Sequence, residues 1–259
     1  KMQERHSNKQ KYFEEQITST RNTILPYIEK EFSLGPKTKV LEVGCGHGGN
    51  LIPFSEKKCD ITGVDLNEHS IDLAKRNFKE RGLDHTKIHL KNVYDFDSNT
   101  KFDLIFLKDV IEHIHDQEQF MSIVKRLLAP GGKMFFAYPP WQMPYGGHQQ
   151  VCKSILSKVP WFHLLPMPIY KLILKIFGEK AKIEGLAEVK ETGISIERFE
   201  RILKKENYQI DQKTFWLINP NYEVKFGLKR RKQLGLISAI PYLRNYFTTC
   251  AYYLVSLKE

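Results

Sequence analysis

Little in this 259-residue chain suggests a scaffold held together by anything except its own core. Its four cysteines, at 45, 59, 152 and 250, form no C-x-x-C pair and have no histidines at zinc-ligand spacing. That argues against a disulfide framework and a structural metal, and suggests reduced thiols in a cytosolic protein; no metal is expected. There is no uninterrupted run of ~20 apolar residues of the kind a membrane-spanning helix needs. The first residues, Lys1-Met-Gln-Glu-Arg5, lack the apolar core of a secretory leader. No repeat or low-complexity tract appears, which sets aside solenoids and disordered linkers. With 41% hydrophobic and 27% charged residues, the composition is that of a globular protein with a substantial core.

Acidic residues are scarce in one half only. Residues 1–150 carry 21 Lys and Arg against 20 Asp and Glu, whereas residues 151–259 carry 19 against 10, so the net charge of +10 is C-terminal. Its densest point, Lys-Arg-Arg-Lys at 229–232, is read first as solvated surface and second as a patch facing phosphates or lipid headgroups.

The most informative segment is Val40-Leu-Glu-Val-Gly-Cys-Gly-His-Gly-Gly-Asn50. A short apolar strand runs into a turn whose glycines at 44, 46 and 49 satisfy G-x-G-x-x-G, so that the backbone can approach a ligand at the start of the following helix. By itself the pattern is compatible with a nicotinamide-dependent oxidoreductase. Glu42 argues against that reading, since a carboxylate two residues before the first glycine suits an ammonium group better than a pyrophosphate. Asp65, 21 residues after Gly44, closes a second strand where its two oxygens can accept both ribose hydroxyls. Asn67 offers an N-cap to the next helix. A third strand ends near Asn92-Val93, and Asp103-Leu-Ile-Phe-Leu-Lys-Asp-Val-Ile-Glu-His113 reads as a fourth strand followed by a polar turn.

Over residues 37–140 this order of segments resembles the class I S-adenosylmethionine-dependent methyltransferases, and Asp109-Val-Ile-Glu-His113 resembles the branch acting on small-molecule and quinone-type acceptors (methyltransferase types 11 and 12). The resemblance implies a seven-stranded, mostly parallel, doubly wound α/β sheet of Rossmann-like form, with S-adenosyl-L-methionine as cofactor and S-adenosyl-L-homocysteine as product. It also implies that Gly44, Cys45 and Gly46 cradle the methionine end while Glu42 holds its amino group. Asp65 and Leu66 would then meet the ribose, Asn92 and Val93 the adenine, and Lys108 and Asp109 the edge of the same pocket. Asn92 stands where many relatives carry Asp, and an amide oxygen can still accept a bond from the adenine amino group.

Residues 1–36 read as an amphipathic helical cap, with Phe13, Ile17, Ile24, Ile28 and Phe32 at helical spacing, bent at Pro26 and lying across the cofactor cleft. Residues 37–140 alternate strand and helix as the cofactor-binding core: 39–43, 51–56, 61–64, 68–80, 87–90, 103–107, 117–128 and 133–137. Residues 141–190 do not fit that core. Broken by Pro160, Pro166 and Pro168, they read as an aromatic, helical lid, with a membrane-surface helix at 169–177 as a further reading. In residues 191–259, a helix at 194–206 and an antiparallel pair at 208–218 and 252–257 would complete the sheet. The long connection at 219–249 is expected to have structure of its own.

Methyl transfer needs an in-line acceptor, a dry pocket and sometimes a base. His148, in the loop after the fifth strand, is the first candidate base because an ordinary histidine pKa of ~6.5 suits proton uptake near neutrality. His113, beside Glu112, is the second. Tyr138, Trp141, Tyr145 and His148 are the candidate acceptor wall. The expected partner is a small-molecule or lipid-like acceptor; nucleic acid is not expected, and peripheral contact with a membrane accords with a cytoplasmic location. An RNA methyltransferase and a cofactor-binding protein without catalysis are the alternatives. The oligomeric state is not legible.

Overall fold

In a computed structural model, described over residues 9–97 and 99–258, the core is one sheet of eight strands flanked by helices. The order is β3-β2-β1-β4-β5-β8-β6-β7, where β1 is Lys39–Val43, β2 Asp60–Asp65, β3 Ile88–Leu90, β4 Phe102–Lys108 and β5 Leu128–Tyr138. On the far side lie β6 (Tyr208–Ile218), β7 (Arg231–Lys232) and β8 (Cys250–Leu257). Strands β1 to β5 are mutually parallel; β8 runs antiparallel to both β5 and β6. The expected seven strands are therefore joined by an eighth. The basic run contributes it, because Arg231 and Lys232 pair with Ile218 and Trp216 at the sheet edge.

The helices follow from apolar spacing and caps. Helix α1 (Lys9–Ser19) leads through a π-helical turn, Thr20–Ile24, into α2 (Leu25–Ile28). Pro26 has no N–H to offer Asn22, and Arg230 donates to the Asn22 carbonyl at 3.3 Å, so the basic connection supports the irregular stretch of the N-terminal cap. Residues 1–5, read above for a leader, lie outside the described residues. Helix α3 is Leu51–Glu56, and α4 (Glu68–Glu80) opens on Asn67, whose Oδ1 accepts from Ser70 N at 2.9 Å as expected of an N-cap. Helix α5 (Gln117–Val124) ends in a tighter turn at Lys125–Leu127.

After β5 the chain leaves the sheet. Four short 3₁₀ turns, α6 (Met167–Ile176) and α7 (Ile183–Thr192) enclose a small core of their own, formed by Cys152, Leu156, Phe162, Tyr170, Leu174 and Leu186. Helix α8 (Ile196–Lys205) returns to the sheet and buries Ile196, Phe199, Ile202 and Leu203, each worth ~1.5–3 kcal/mol if fully transferred from water. The connection between β6 and β8 is structured, as expected: it contains α9 (Asn221–Phe226), β7, α10 (Gly235–Ser238) and α11 (Leu243–Phe247).

Register locates these excursions. Tyr138 at the end of β5 pairs with Ala251 at the start of β8, and Trp216 near the end of β6 pairs with Cys250. The 141–195 insertion and the 219–249 connection thus both leave from the carboxyl edge of the parallel strands, the edge at which α/β sheets bind ligands. Among the described residues no helix is long and apolar enough to cross a membrane.

Candidate active site

Glu42 is 1% exposed, one residue from the end of β1. Its Oε1 accepts from Asn50 Nδ2 at 2.7 Å, and Asn50 Oδ1 accepts in turn from Thr20 Oγ1 at 2.9 Å. Its Oε2 is buried with no hydrogen-bond partner among the described residues. Burial pushes this carboxyl up to about 8 and the charge of Asp65 adds to the shift, while the Asn50 bond and Lys108 oppose it. A buried acceptor without a donor is costly, and a cationic amino group placed there would relieve it.

The glycine turn lies directly above. Gly44 and Cys45 both donate their amides to Val64 O, at 2.8 and 3.0 Å, and Gly46 N donates to Asp65 Oδ2 at 2.8 Å. These three amides therefore stitch β1 to β2. Cys45 turns its side chain into the core and can meet a ligand only through its backbone. Gly44 has φ +71°, and a Cβ there would lie 2.6 Å from Val110; Gly46 has φ +51° with open space where a side chain would be. That open face is where a ligand can approach.

Asp65 ends β2 half-buried, its Oδ1 accepting from Asn67 N at 2.8 Å, and Leu66 beside it is 71% exposed. Asn92 uses its Oδ1 to cap Tyr94 N at 3.1 Å, so this oxygen already has a donor before any adenine amino group arrives; Val93 is buried in the core. The four strand ends lie side by side in the order β3-β2-β1-β4, which brings Asn92, Asp65, Glu42 and Lys108–Asp109 to one edge.

Helix α1 packs against the glycine turn at this edge. Tyr12 stacks edge-on against His47 at 5.7 Å, and a Cβ on Gly49 would meet Phe13 O at 2.7 Å. A cleft of about 260 Å³, counting its open mouth, is lined by Tyr12, Glu15, Gln16, Ser19, Lys108, Asp109, Asn221 and Lys225. Of the expected set it takes in Lys108 and Asp109; Glu42, Gly44 to Gly46, Asp65, Leu66, Asn92 and Val93 are not part of its lining.

The second cluster follows β4. Ligand atoms of Glu112, His113 and His148 all lie within 4.8 Å of one another, and the two imidazole centroids are 5.1 Å apart. Neither Glu112 carboxyl oxygen, though buried, has a hydrogen-bond partner among the described residues, and burial followed by the charge of Asp109 holds its pKa well above the usual carboxylate range. His148 sits in the left-handed region at φ +55°. Burial, with the charge of His113 second, lowers its pKa to about 4, so the ordinary histidine value assumed from sequence does not apply. It is uncharged at neutrality and holds a proton weakly. His113 is shifted down as well, chiefly by burial.

The aromatic wall divides. Tyr138 is fully buried, packed on Phe199 and stacked with Tyr253 at 6.2 Å; it belongs to the core. Trp141 fastens the insertion: its N–H donates to Ile194 O at 2.8 Å, its ring packs on His163 at 4.6 Å, and a Cβ on Gly193 would meet that ring at 2.6 Å. Tyr145 donates to Lys158 O at 3.3 Å. Sequence reasoning did not single out Asn50, Thr20 or Tyr12, because each acts across a tertiary contact with no local motif to mark it.

A β3-β2-β1-β4-β5 parallel half, an acid under a glycine turn and a second acid at the next strand end define a chain of the S-adenosylmethionine-dependent methyltransferase class. A structure of such an enzyme from Clostridium acetobutylicum superposes with a TM-score of 0.57 at 15% identity, covering 93% of this chain and 92% of that one. Residues 34–208 match the model of the methyltransferase domain family, and the chain belongs to that family. Relatives include an uncharacterised protein of Rickettsia prowazekii (strain Madrid E), 31% identical over 47% of this chain and 55% of its own length. A ubiquinone biosynthesis O-methyltransferase of Coxiella burnetii (strain Dugway 5J108-111) is 34% identical over 44% of this chain and 48% of its own. The chain thus spans about half the length of the curated relatives it matches.

Proposed function

We propose that this protein transfers a methyl group from S-adenosyl-L-methionine to a small or lipid-like acceptor. The reading rests above all on the buried, unpartnered Oε2 of Glu42 beneath the glycine turn. In this reading Glu42 holds the cofactor's amino group, Gly44 to Gly46 supply the backbone face, Asp65 and Leu66 meet the ribose, and Asn92 with Val93 flanks the adenine. Lys108 and Asp109 border the methionine end. When bound, the cofactor supplies an electrophilic methyl group. The protein's share is to place the acceptor in line and keep water out. Helix α1 covers one side of the mouth, and residues 141–190 serve as a lid on the other.

His148 is the proposed base, with His113 beside it. Because burial keeps His148 uncharged at neutral pH, its ring nitrogen is free to accept the hydrogen bond of an acceptor hydroxyl. An oxygen acceptor is favoured by the relatives named for ubiquinone O-methylation. Trp141 and Tyr145 frame the acceptor from the insertion.

Calorimetry with S-adenosylmethionine and S-adenosylhomocysteine tests the cofactor half: binding by the wild type, weakened at least tenfold in Asp65→Ala, is expected. No binding, or binding unaltered by that change, would defeat the reading. Turnover with quinone-type hydroxyl acceptors should fall in His148→Ala through kcat while cofactor affinity is kept; a fall in cofactor affinity alone would remove His148 from the chemistry.

A further inference from the structure

The carboxyl edge presents two apolar surfaces that the protein itself leaves uncovered. On α6, Tyr170 and Leu174 face inward, whereas Ile169, Leu172 and Ile176, spaced three and four residues apart, face out at 47, 55 and 70% exposure. In the 219–249 connection, Leu234, Leu236, Ile240 and Tyr242 are 61, 86, 48 and 68% exposed. Soluble monomers rarely expose contiguous apolar patches of any size without a use for them.

The two excursions are anchored to neighbouring residues. Ile194, where the insertion returns, accepts from Trp141 N, while Ile196 N donates to Asn245 Oδ1 at 2.8 Å and Tyr242 N to Glu197 Oε1 at 2.8 Å. The connection is thereby pinned to the start of α8, beside the root of the insertion and on the same edge of the sheet. Each contains a basic stretch free of acids. Residues 141–178 hold four lysines and no Asp or Glu, and residues 224–247 hold six Lys and Arg and no acid.

We infer that this edge docks on an anionic lipid surface, with the α6 ridge and the Leu234–Tyr242 segment entering the headgroup boundary and Lys171, Lys175, Lys229, Arg231 and Lys232 meeting lipid phosphates. Exposed aliphatics and an exposed tyrosine with a basic collar match the chemistry of such an interface, and the acids beside it, Glu223 and Glu197, are paired with Arg230 and Arg244. A second copy of the chain would bring basic collar against basic collar. This surface does not depend on the methyltransferase reading, since it is defined without any cofactor residue.

Co-sedimentation of the full chain with vesicles tests it. Phosphatidylcholine vesicles containing phosphatidylglycerol should retain the protein, pure phosphatidylcholine should retain at least tenfold less, and added salt should release it. Ile176→Asn with Leu236→Asn should reduce retention at least fivefold, and so, independently, should Lys229→Gln with Arg231→Gln and Lys232→Gln. These side chains are exposed, so the melting temperature should be unchanged. Lack of retention on anionic vesicles, or retention indifferent to both sets of changes, overturns the inference. A dimer in light scattering that the Asn pair converts to monomer would also overturn it, assigning the face to self-association.

Discussion

Glu42 concentrates the physics of the site in one side chain. Its folded pKa of about 8 exceeds the ordinary carboxylate value, so the folded state binds more protons than the unfolded chain between about pH 4.5 and pH 8. In the ligand-free protein Glu42 should therefore contribute a loss of stability as pH rises through that window. Glu42→Gln keeps an oxygen for Asn50 and removes the charge. It should raise the unfolding free energy at pH 8 by ~1–2 kcal/mol relative to wild type, leave pH 4.5 nearly unchanged, and weaken S-adenosylmethionine binding. Urea titrations at the two pH values check the first part and calorimetry the second. Equal effects at both pH values would mean that the carboxyl is not the destabilising group. Glu42 was legible in the sequence because an acid inside Val40 to Val43 breaks an apolar strand. Glu112 was not, since Glu112-His113 looks like an ordinary polar turn and only the packed molecule buries it. The pKa of His148 was misjudged for the same reason: burial is a tertiary property.

Elements were read better than their surroundings. Strand β1, helices α3 and α4 and strand β6 lie where periodicity and the Asn67 cap placed them. Strand β7 escaped notice because two basic residues carry no strand pattern and are held only by Trp216 and Ile218. Tyr138 was assigned to the acceptor wall because a residue at a strand end can face either way; Phe199 and Tyr253 decided the matter. The contact of α1 with the glycine turn gives an element-scale prediction. Gly49→Ala would drive a Cβ into the Phe13 carbonyl at 2.7 Å, a backbone atom that cannot rotate away, so α1 must shift. A loss of ~1–3 kcal/mol in urea unfolding is expected. Gly46→Ala meets no atom and bears only the cost of φ +51°, ~1–2 kcal/mol, yet should impair cofactor binding more than Gly49→Ala does. The reverse ranking in calorimetry would move the ligand face away from Gly46.

For the molecule as a whole, acid sensitivity follows from its buried imidazoles. Burial takes both His148 and His163 down to about 4, so between pH 6.5 and pH 4 the unfolded chain binds more protons, and stability is lost as pH falls through that window. Their contribution should be a decline of ~1–3 kcal/mol in unfolding free energy from pH 7 to pH 4.5, opposite in sign to that of Glu42 and read by urea titration in the Glu42→Gln background, where the opposing carboxyl is absent. His163→Gln, whose amide can still reach the Trp141 carbonyl, should flatten part of it. An unchanged slope would assign the acid sensitivity elsewhere.

The 141–195 and 219–249 excursions leave from one rim of the sheet, and the opposite rim carries the turn at Gly82, where a side chain would meet nothing. That rim is a natural handle. An epitope or fluorophore grafted at Gly82 should report on the protein, or tether it to a support, without disturbing either ligand or lipid, whereas the same graft near Gly146 or Gly235 would sit in the working face.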